Sequence, residues 1–122
     1  MKAAERAAVE AASENWQEQL RRGGLEIAIL LSLTRDARYG LEIIRHLEEF
    51  TDLVVTEGTI YPIMARLSRD GFVSAEWRET GAHPRKYYRL TARGRTRLNE
   101  MRTALKTFVT QIDQLTAAAE EK

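Results

Sequence analysis

The chain has 122 residues, no cysteine and two histidines, and its 19 basic and 18 acidic side chains nearly cancel. That length suits one domain with one core and leaves no room for a separate catalytic domain, and the missing cysteines exclude a disulfide scaffold, a thiolate metal site and a thiol nucleophile. His46 and His83 stand 37 positions apart without a carboxylate at ligand spacing near either, which argues against a histidine-based metal or catalytic site. The charge is unevenly placed: residues 1–50 hold 7 basic and 9 acidic side chains, residues 51–102 hold 10 and 6, and residues 85–102 hold seven basic ones against Glu100 alone. Such a block points to a polyanion partner more than to a membrane.

Residues 3–22 are rich in Ala, Glu, Gln and Arg and predict a helix, with the Gly23-Gly24 pair as its stop. Its apolar stripe of Val9, Ala12, Trp16 and Leu20 is thin, so the helix needs something to lie against. Residues 25–34 follow as a buried core helix, since the run Leu25 to Leu33 is about half the length of a membrane span and is broken by Glu26. The first residues carry acidic side chains and no apolar leader stretch, and together with the absence of cysteine this places the chain in the cytoplasm. After a polar connection over Arg35 to Arg38, a helix runs from Tyr39-Gly40 to about Thr51, with Leu41, Ile43, Ile44, Leu47 and Phe50 on its apolar side.

Thr56 can cap the next helix, and Pro62 falls early enough in it to be tolerated. Ile60, Ile63, Met64 and Leu67 have the spacing of a buried face, while Tyr61, Pro62, Ala65 and Arg69 occupy the opposite arc with Thr59 and Arg66 on its flanks. Asp70-Gly71 ends the helix. Residues 72–78 and 85–91 read as the strands of a hairpin around Thr80 to Pro84, with Val73, Ala75, Trp77, Tyr88 and Leu90 inward and Arg78, Arg85 and Arg89 toward solvent. From a Thr91 cap to about Ala118, Leu98, Met101, Leu105, Phe108, Ile112 and Leu115 form a heptad seam. A helix of this length, roughly 38 Å, is longer than three short helices can cover, and a second copy of the chain is the simplest partner for the seam.

Three helices, a hairpin and a long helix follow the order of a winged helix-turn-helix with a C-terminal dimerisation helix, a mainly α fold with a small β-hairpin. In such modules the third helix enters the major groove by its N-terminal residues. The expected division is an N-terminal helical extension over 1–22, the DNA-binding domain over 23–91 and the dimerisation helix over 92–122. The chain also resembles the PadR family of bacterial transcription regulators. The resemblance rests on Leu25 to Leu30, Tyr39-Gly40-Leu41-Glu42-Ile43, Glu57-Gly58-Thr59-Ile60-Tyr61-Pro62 with the residues to Leu67, Gly71-Phe72-Val73, Trp77, and Pro84-Arg85-Lys86-Tyr87-Tyr88-Arg89-Leu90-Thr91. It covers about residues 23–115 and implies a dimeric repressor that binds an inverted repeat in double-stranded DNA and responds to phenolic acids, drugs, other small molecules or stress.

The resemblance places Thr59, Tyr61 and Pro62 at the DNA-facing start of the recognition helix, and chemistry permits it: hydroxyls reach phosphates or base edges, and a Thr methyl can meet a thymine methyl. Tyr61 either contacts DNA or packs and orients the helix. Arg66 and Arg69 either contact phosphate or are solvated, and Tyr39 either touches the backbone or caps the core beside Gly40. Arg85 and Lys86 are candidate phosphate or minor-groove contacts, whereas Tyr87 and Tyr88 read as packing residues. Drug-binding members of the family line a pocket at the dimer centre with a Trp from the long helix; here that helix offers Met101 and Phe108, and Trp16 of the extension either helps line such a pocket or adds dimer surface. No cofactor or metal is expected, and no nucleophile–base set or phosphate loop supports an enzyme. The rival class is a winged helix that holds a protein partner instead of DNA.

Overall fold

The structure, a computed structural model, describes residues 2–121, and within the first helix the side chains of residues 11–14 lie outside the description. The elements in order are α1 (Ala3–Ser32), β1 (Arg38–Tyr39), α2 (Gly40–Phe50), α3 (Glu57–Arg69), β2 (Val73–Thr80), β3 (His83–Leu90) and α4 (Ala92–Glu120). One apolar cluster holds them together: Ile29, Leu30 and Leu33 of α1, Ile43 and Leu47 of α2, Ile60, Met64 and Leu67 of α3, Val73, Tyr88 and Leu90 of the hairpin, and Leu98 of α4. The helical periodicities of the second and third helices are thus the faces they bury.

Two boundaries differ from expectation. Helix α1 runs unbroken through Gly23 and Gly24. A glycine stop works by adopting positive φ, and among the described residues only Gly71 and Gly81 do so; the strong helix formers on both sides of the pair keep it helical. The hairpin is also longer than the sequence suggests, with Thr80 opposite His83 and a two-residue loop of Gly81 and Ala82. Gly81 has a φ of +70° and Ala82 stays at negative φ, the pattern of a type II′ turn, whose twist matches that of the strands.

A third strand was not foreseen. Arg38 and Tyr39, read as connection and helix start, pair antiparallel with Tyr88 and Tyr87, giving a sheet of order β1-β3-β2. The hairpin parity holds, since Val73, Ala75 and Trp77 share a face with Leu90, Tyr88 and Lys86. Only its root is buried. Ala75 is exposed and Trp77 is 67% exposed, because the longer strands carry these positions past the core as a projecting wing. Arg78, expected in solvent, is half-buried against Tyr87.

Thr91 joins the root of the wing to α4. Its hydroxyl accepts the Gly94 N–H at 3.0 Å and donates to the Gly71 carbonyl at 2.7 Å. The first two positions of the heptad seam belong to the chain's own core: Leu98 is buried in it and Met101 packs on it. Beyond Met101 every described residue of α4 is exposed, including Leu105, Phe108, Ile112 and Leu115. In α1, Val9, Trp16 and Leu20 are exposed too, while Ala12 lies outside the described residues.

Glycines in the two long helices carry opposite consequences. A Cβ at Gly94 would collide with the Phe72 carbonyl oxygen and meet Leu90 Cδ1 at 2.8 Å, whereas one at Gly24 meets nothing within 4 Å. Gly94→Ala is expected to destabilise the fold by about 1–3 kcal/mol through overpacking. Gly24→Ala is expected to stabilise it by up to about 1 kcal/mol through helix propensity. Urea midpoints that shift in the same direction for both variants would contradict this packing.

Candidate nucleic-acid interface

Helix α3 and the wing enclose a groove of about 500 Å³, lined by residues of both sheet faces. Tyr39, Gly40 and Leu41 form its floor, Tyr61 and Ala65 one wall, and Trp77, Pro84, Arg85, Lys86 and Tyr88 the other. Four residues singled out from sequence, Tyr39, Tyr61, Arg85 and Lys86, therefore converge from three separate elements. Trp77 and Ala65 join them. Strand alternation had already put Trp77 on this face; what the sequence did not show was that the face leaves the core before reaching it.

Tyr61 both packs and remains accessible. Its ring lies on Gly40 so closely that a Cβ there would stand 2.8 Å from Cε1 and 2.9 Å from Oη. The side chain is nevertheless 45% exposed at the mouth of the groove. A residue larger than glycine at the start of α2 would displace the Tyr61 ring, so Gly40 sets where that ring lies in the groove. Next to it Tyr88 is buried, and burial first, then the neighbouring Tyr61, pushes its phenol above the ordinary tyrosine range.

The wing's cations are held by aromatic rings. The Lys86 ammonium stands 5.9 Å from the centroids of both Trp77 and Tyr88. On the other face of the sheet the Arg78 guanidinium lies 4.5 Å over Tyr87, Tyr87 meets Tyr39 edge-on at 5.4 Å, and the Arg85 guanidinium lies 4.4 Å over Tyr39. Cation–π contacts of this kind orient a charge without neutralising it, so Arg85 and Lys86 keep their full attraction for a phosphate. Glu42 takes the Tyr39 N–H at 3.2 Å and fixes the junction of β1 with α2.

The remaining predicted residues lie elsewhere on α3. Pro62 is exposed beside Tyr61. Thr56 occupies the N-cap position, but its hydroxyl meets the Thr59 hydroxyl at 3.3 Å instead of capping a backbone N–H. Thr59 opens on the other flank of the helix start, in a cleft shared with Arg21 and Arg22 of α1. Arg66 turns back to Glu26 at 2.8 Å, an ion pair between α3 and α1 in which the Arg66 side chain stays 44% exposed. At the start of α4, Arg93 and Arg97 lie over Phe72, and Arg95 donates to the Thr34 carbonyl at 3.2 Å.

Within one chain the residues named for an effector pocket stand apart. Trp16 and Phe108 are exposed on α1 and α4, and Met101 is packed on the core. The groove that α4 does border is lined instead by Leu105 and Val109 with Ile27 and Leu31 of α1. Among the described residues no helix is long and apolar enough to cross a membrane.

Comparison with known proteins identifies the family and the fold. The profile of the Transcriptional regulator PadR-like family matches residues 29–100. A transcriptional regulator of Mycobacterium tuberculosis is 38% identical over 58 residues, 48% of this chain and 54% of that relative, so the match spans about half of its length. The structure of a PadR-like transcription factor from Bacteroides fragilis superposes with a TM-score of 0.70 at 38% identity, covering 83% of this chain and 98% of that one. A PadR family transcriptional regulator from Eggerthella lenta superposes with a TM-score of 0.78 at 29% identity, covering 95% and 99%.

The buried phenol beside the groove gives a pH signature. The folded state favours neutral Tyr88, so its contribution to stability is complete below the ordinary tyrosine value near 10 and is lost as pH rises through the higher folded value. Absorbance titration at 295 nm is expected to show one tyrosine ionising after the others, and Tyr88→Phe to remove that late step. Simultaneous ionisation of all four tyrosines would contradict the packing.

Proposed function

The chain belongs to the PadR-like family of transcriptional regulators, which are DNA-binding proteins and not enzymes, and from that premise we propose how it acts. It is a cytoplasmic homodimeric repressor that holds an inverted-repeat operator and is released by a small-molecule or stress signal. The observation that carries the DNA-reading part is the groove itself: an accessible recognition-helix start, Tyr61 and Pro62, stands beside ring-held cations, Arg85 and Lys86. In this reading Tyr61 and Pro62 meet the major groove, Thr59 contacts the flanking backbone, and Arg85 and Lys86 grip phosphates or the minor-groove edge. Tyr39 acts by orienting Arg85. Arg66 is assigned to the bond between α3 and α1.

The dimer reading rests on apolar surface that one chain leaves uncovered. Leu105, Phe108, Val109, Ile112 and Leu115 are 44–66% exposed along α4, and Trp16 and Leu20 lie exposed along α1. A second copy packed on this stripe removes it from water and sets two reading helices about one turn of DNA apart, as an inverted repeat requires. A signal that alters the spacing or angle of the two helices then changes operator affinity.

Selection from a random duplex library at near-physiological salt tests the whole reading, and enrichment of an inverted repeat is the expected result. A folded dimer that enriches no motif would favour a protein-binding role. Among variants, Tyr61→Ala is expected to weaken specific binding more than random-sequence binding. Lys86→Ala is expected to weaken both and to lower the log–log salt slope by about one. Unaltered affinity in both would remove these residues from the interface. Leu105→Glu places a charge in the apolar stripe and is expected to yield monomers in analytical ultracentrifugation; an intact dimer would place the interface elsewhere.

A further inference from the structure

Trp77 is the large aromatic of the wing that the fold leaves unused. Tyr88 is buried in the core, and Tyr87 meets Tyr39 edge-on while carrying Arg78. Trp77 is 67% exposed, and the charge over its ring is the Lys86 ammonium, 5.9 Å from the centroid. The two residues are direct partners across the hairpin and share its groove face. With Leu41, Ala65 and Pro84 the indole makes the apolar part of the groove lining. A tryptophan left in water at the mouth of such a groove is a large apolar surface available to a partner, the kind of side chain on which binding energy concentrates.

The charges say what that partner presents. Arg85 and Lys86 line the groove and no carboxylate does, so it takes an anion. The indole beside Lys86 adds a second demand, an apolar unit attached close to the anionic group. A DNA strand meets both, because each phosphate is bonded directly to a deoxyribose whose 2′ carbon carries only hydrogen. A phosphate held by Lys86 therefore brings its own sugar over the ring. In a ribose the same carbon bears a hydroxyl. Laid on the indole face, that hydroxyl loses its water and finds no acceptor, since the indole nitrogen only donates.

We propose that Trp77 packs on the deoxyribose joined to the phosphate that Lys86 holds, and that this contact selects a 2′-deoxy strand over one bearing 2′-hydroxyls. Lys86 answers the charge of the backbone and Trp77 answers its sugar, the group by which DNA and RNA differ at a given site. The inference rests on the DNA-reading role given above and adds to it a residue that discriminates by sugar and not by base.

The test uses the full chain and fluorescence anisotropy. On a mixed-sequence DNA duplex, Trp77→Ala is expected to lower affinity about fivefold while leaving the log–log salt slope at its wild-type value, because an apolar contact releases no counterion. Trp77→Phe keeps a ring for both the sugar and Lys86 and is expected to stay within about twofold of wild type. The sugar preference is read with the unaltered protein on the duplex enriched by the library selection, replacing one deoxynucleotide at a time by its ribonucleotide. A loss of about fivefold is expected at one position in each half-site, and Trp77→Ala is expected to abolish the penalty at that position. Wild-type affinity in Trp77→Ala overturns the contact. A salt slope that falls in Trp77→Ala as it does in Lys86→Ala overturns it too, since Trp77 would then act only by placing the ammonium. A flat ribonucleotide scan, or a penalty that persists in Trp77→Ala, overturns the selection for deoxyribose. All of these leave the DNA-reading role in place, whereas a wild-type chain that binds no duplex overturns that role and this contact with it.

Discussion

The pairing of a two-residue strand, Arg38–Tyr39, with the wing is the interaction on which the functional surface depends. A hairpin of two eight-residue strands has little reason to hold one angle when only its root reaches the core. The third strand gives it one, because the backbone pairs that join Tyr39 to Tyr87 and Arg38 to Tyr88 attach the wing to the start of α2. The same start carries Gly40, on which the Tyr61 ring rests. Wing and recognition helix are thus referred to one point, and the groove between them keeps its shape.

The chemistry of that groove follows from how its charges are held. Arginine and lysine on a free hairpin would be mobile, and ordering them on DNA would cost side-chain entropy. Here Tyr39, Trp77 and Tyr88 hold Arg85 and Lys86 by their ring faces, which leaves the cations charged and already placed. Arg66 illustrates the opposite outcome. It is placed by an ion pair to Glu26 of α1 and not by an aromatic ring.

One further surface connects to this frame from outside the groove. Along α4, the apolar stripe beginning at Leu105 is the surplus left once Leu98 and Met101 have been used by the core, and it is suited to a second copy of the chain.

Much of the architecture was legible in the amino-acid order. The 3.6-residue periodicity of the second and third helices, the β-rich segments around a turn and the heptad seam each record which face is buried, and burial is a local property of the pattern. The ordered motifs from Tyr39-Gly40 through Gly58-Thr59-Ile60-Tyr61-Pro62 to Arg85-Lys86-Tyr87-Tyr88 named the family and four of the groove residues. What the sequence could not contain were facts about relative position. Gly23-Gly24 stays helical because its neighbours outweigh it, and Trp77 is exposed because its strand outruns the core. Arg66 meets Glu26 across 40 positions, and a two-residue strand is too short to leave a periodic trace. Sequence alone determined the elements, their apolar faces and the kinds of side chain available for DNA; tertiary structure alone decided which of those side chains share a groove and which are consumed by packing, because that depends on contacts between residues far apart in the chain.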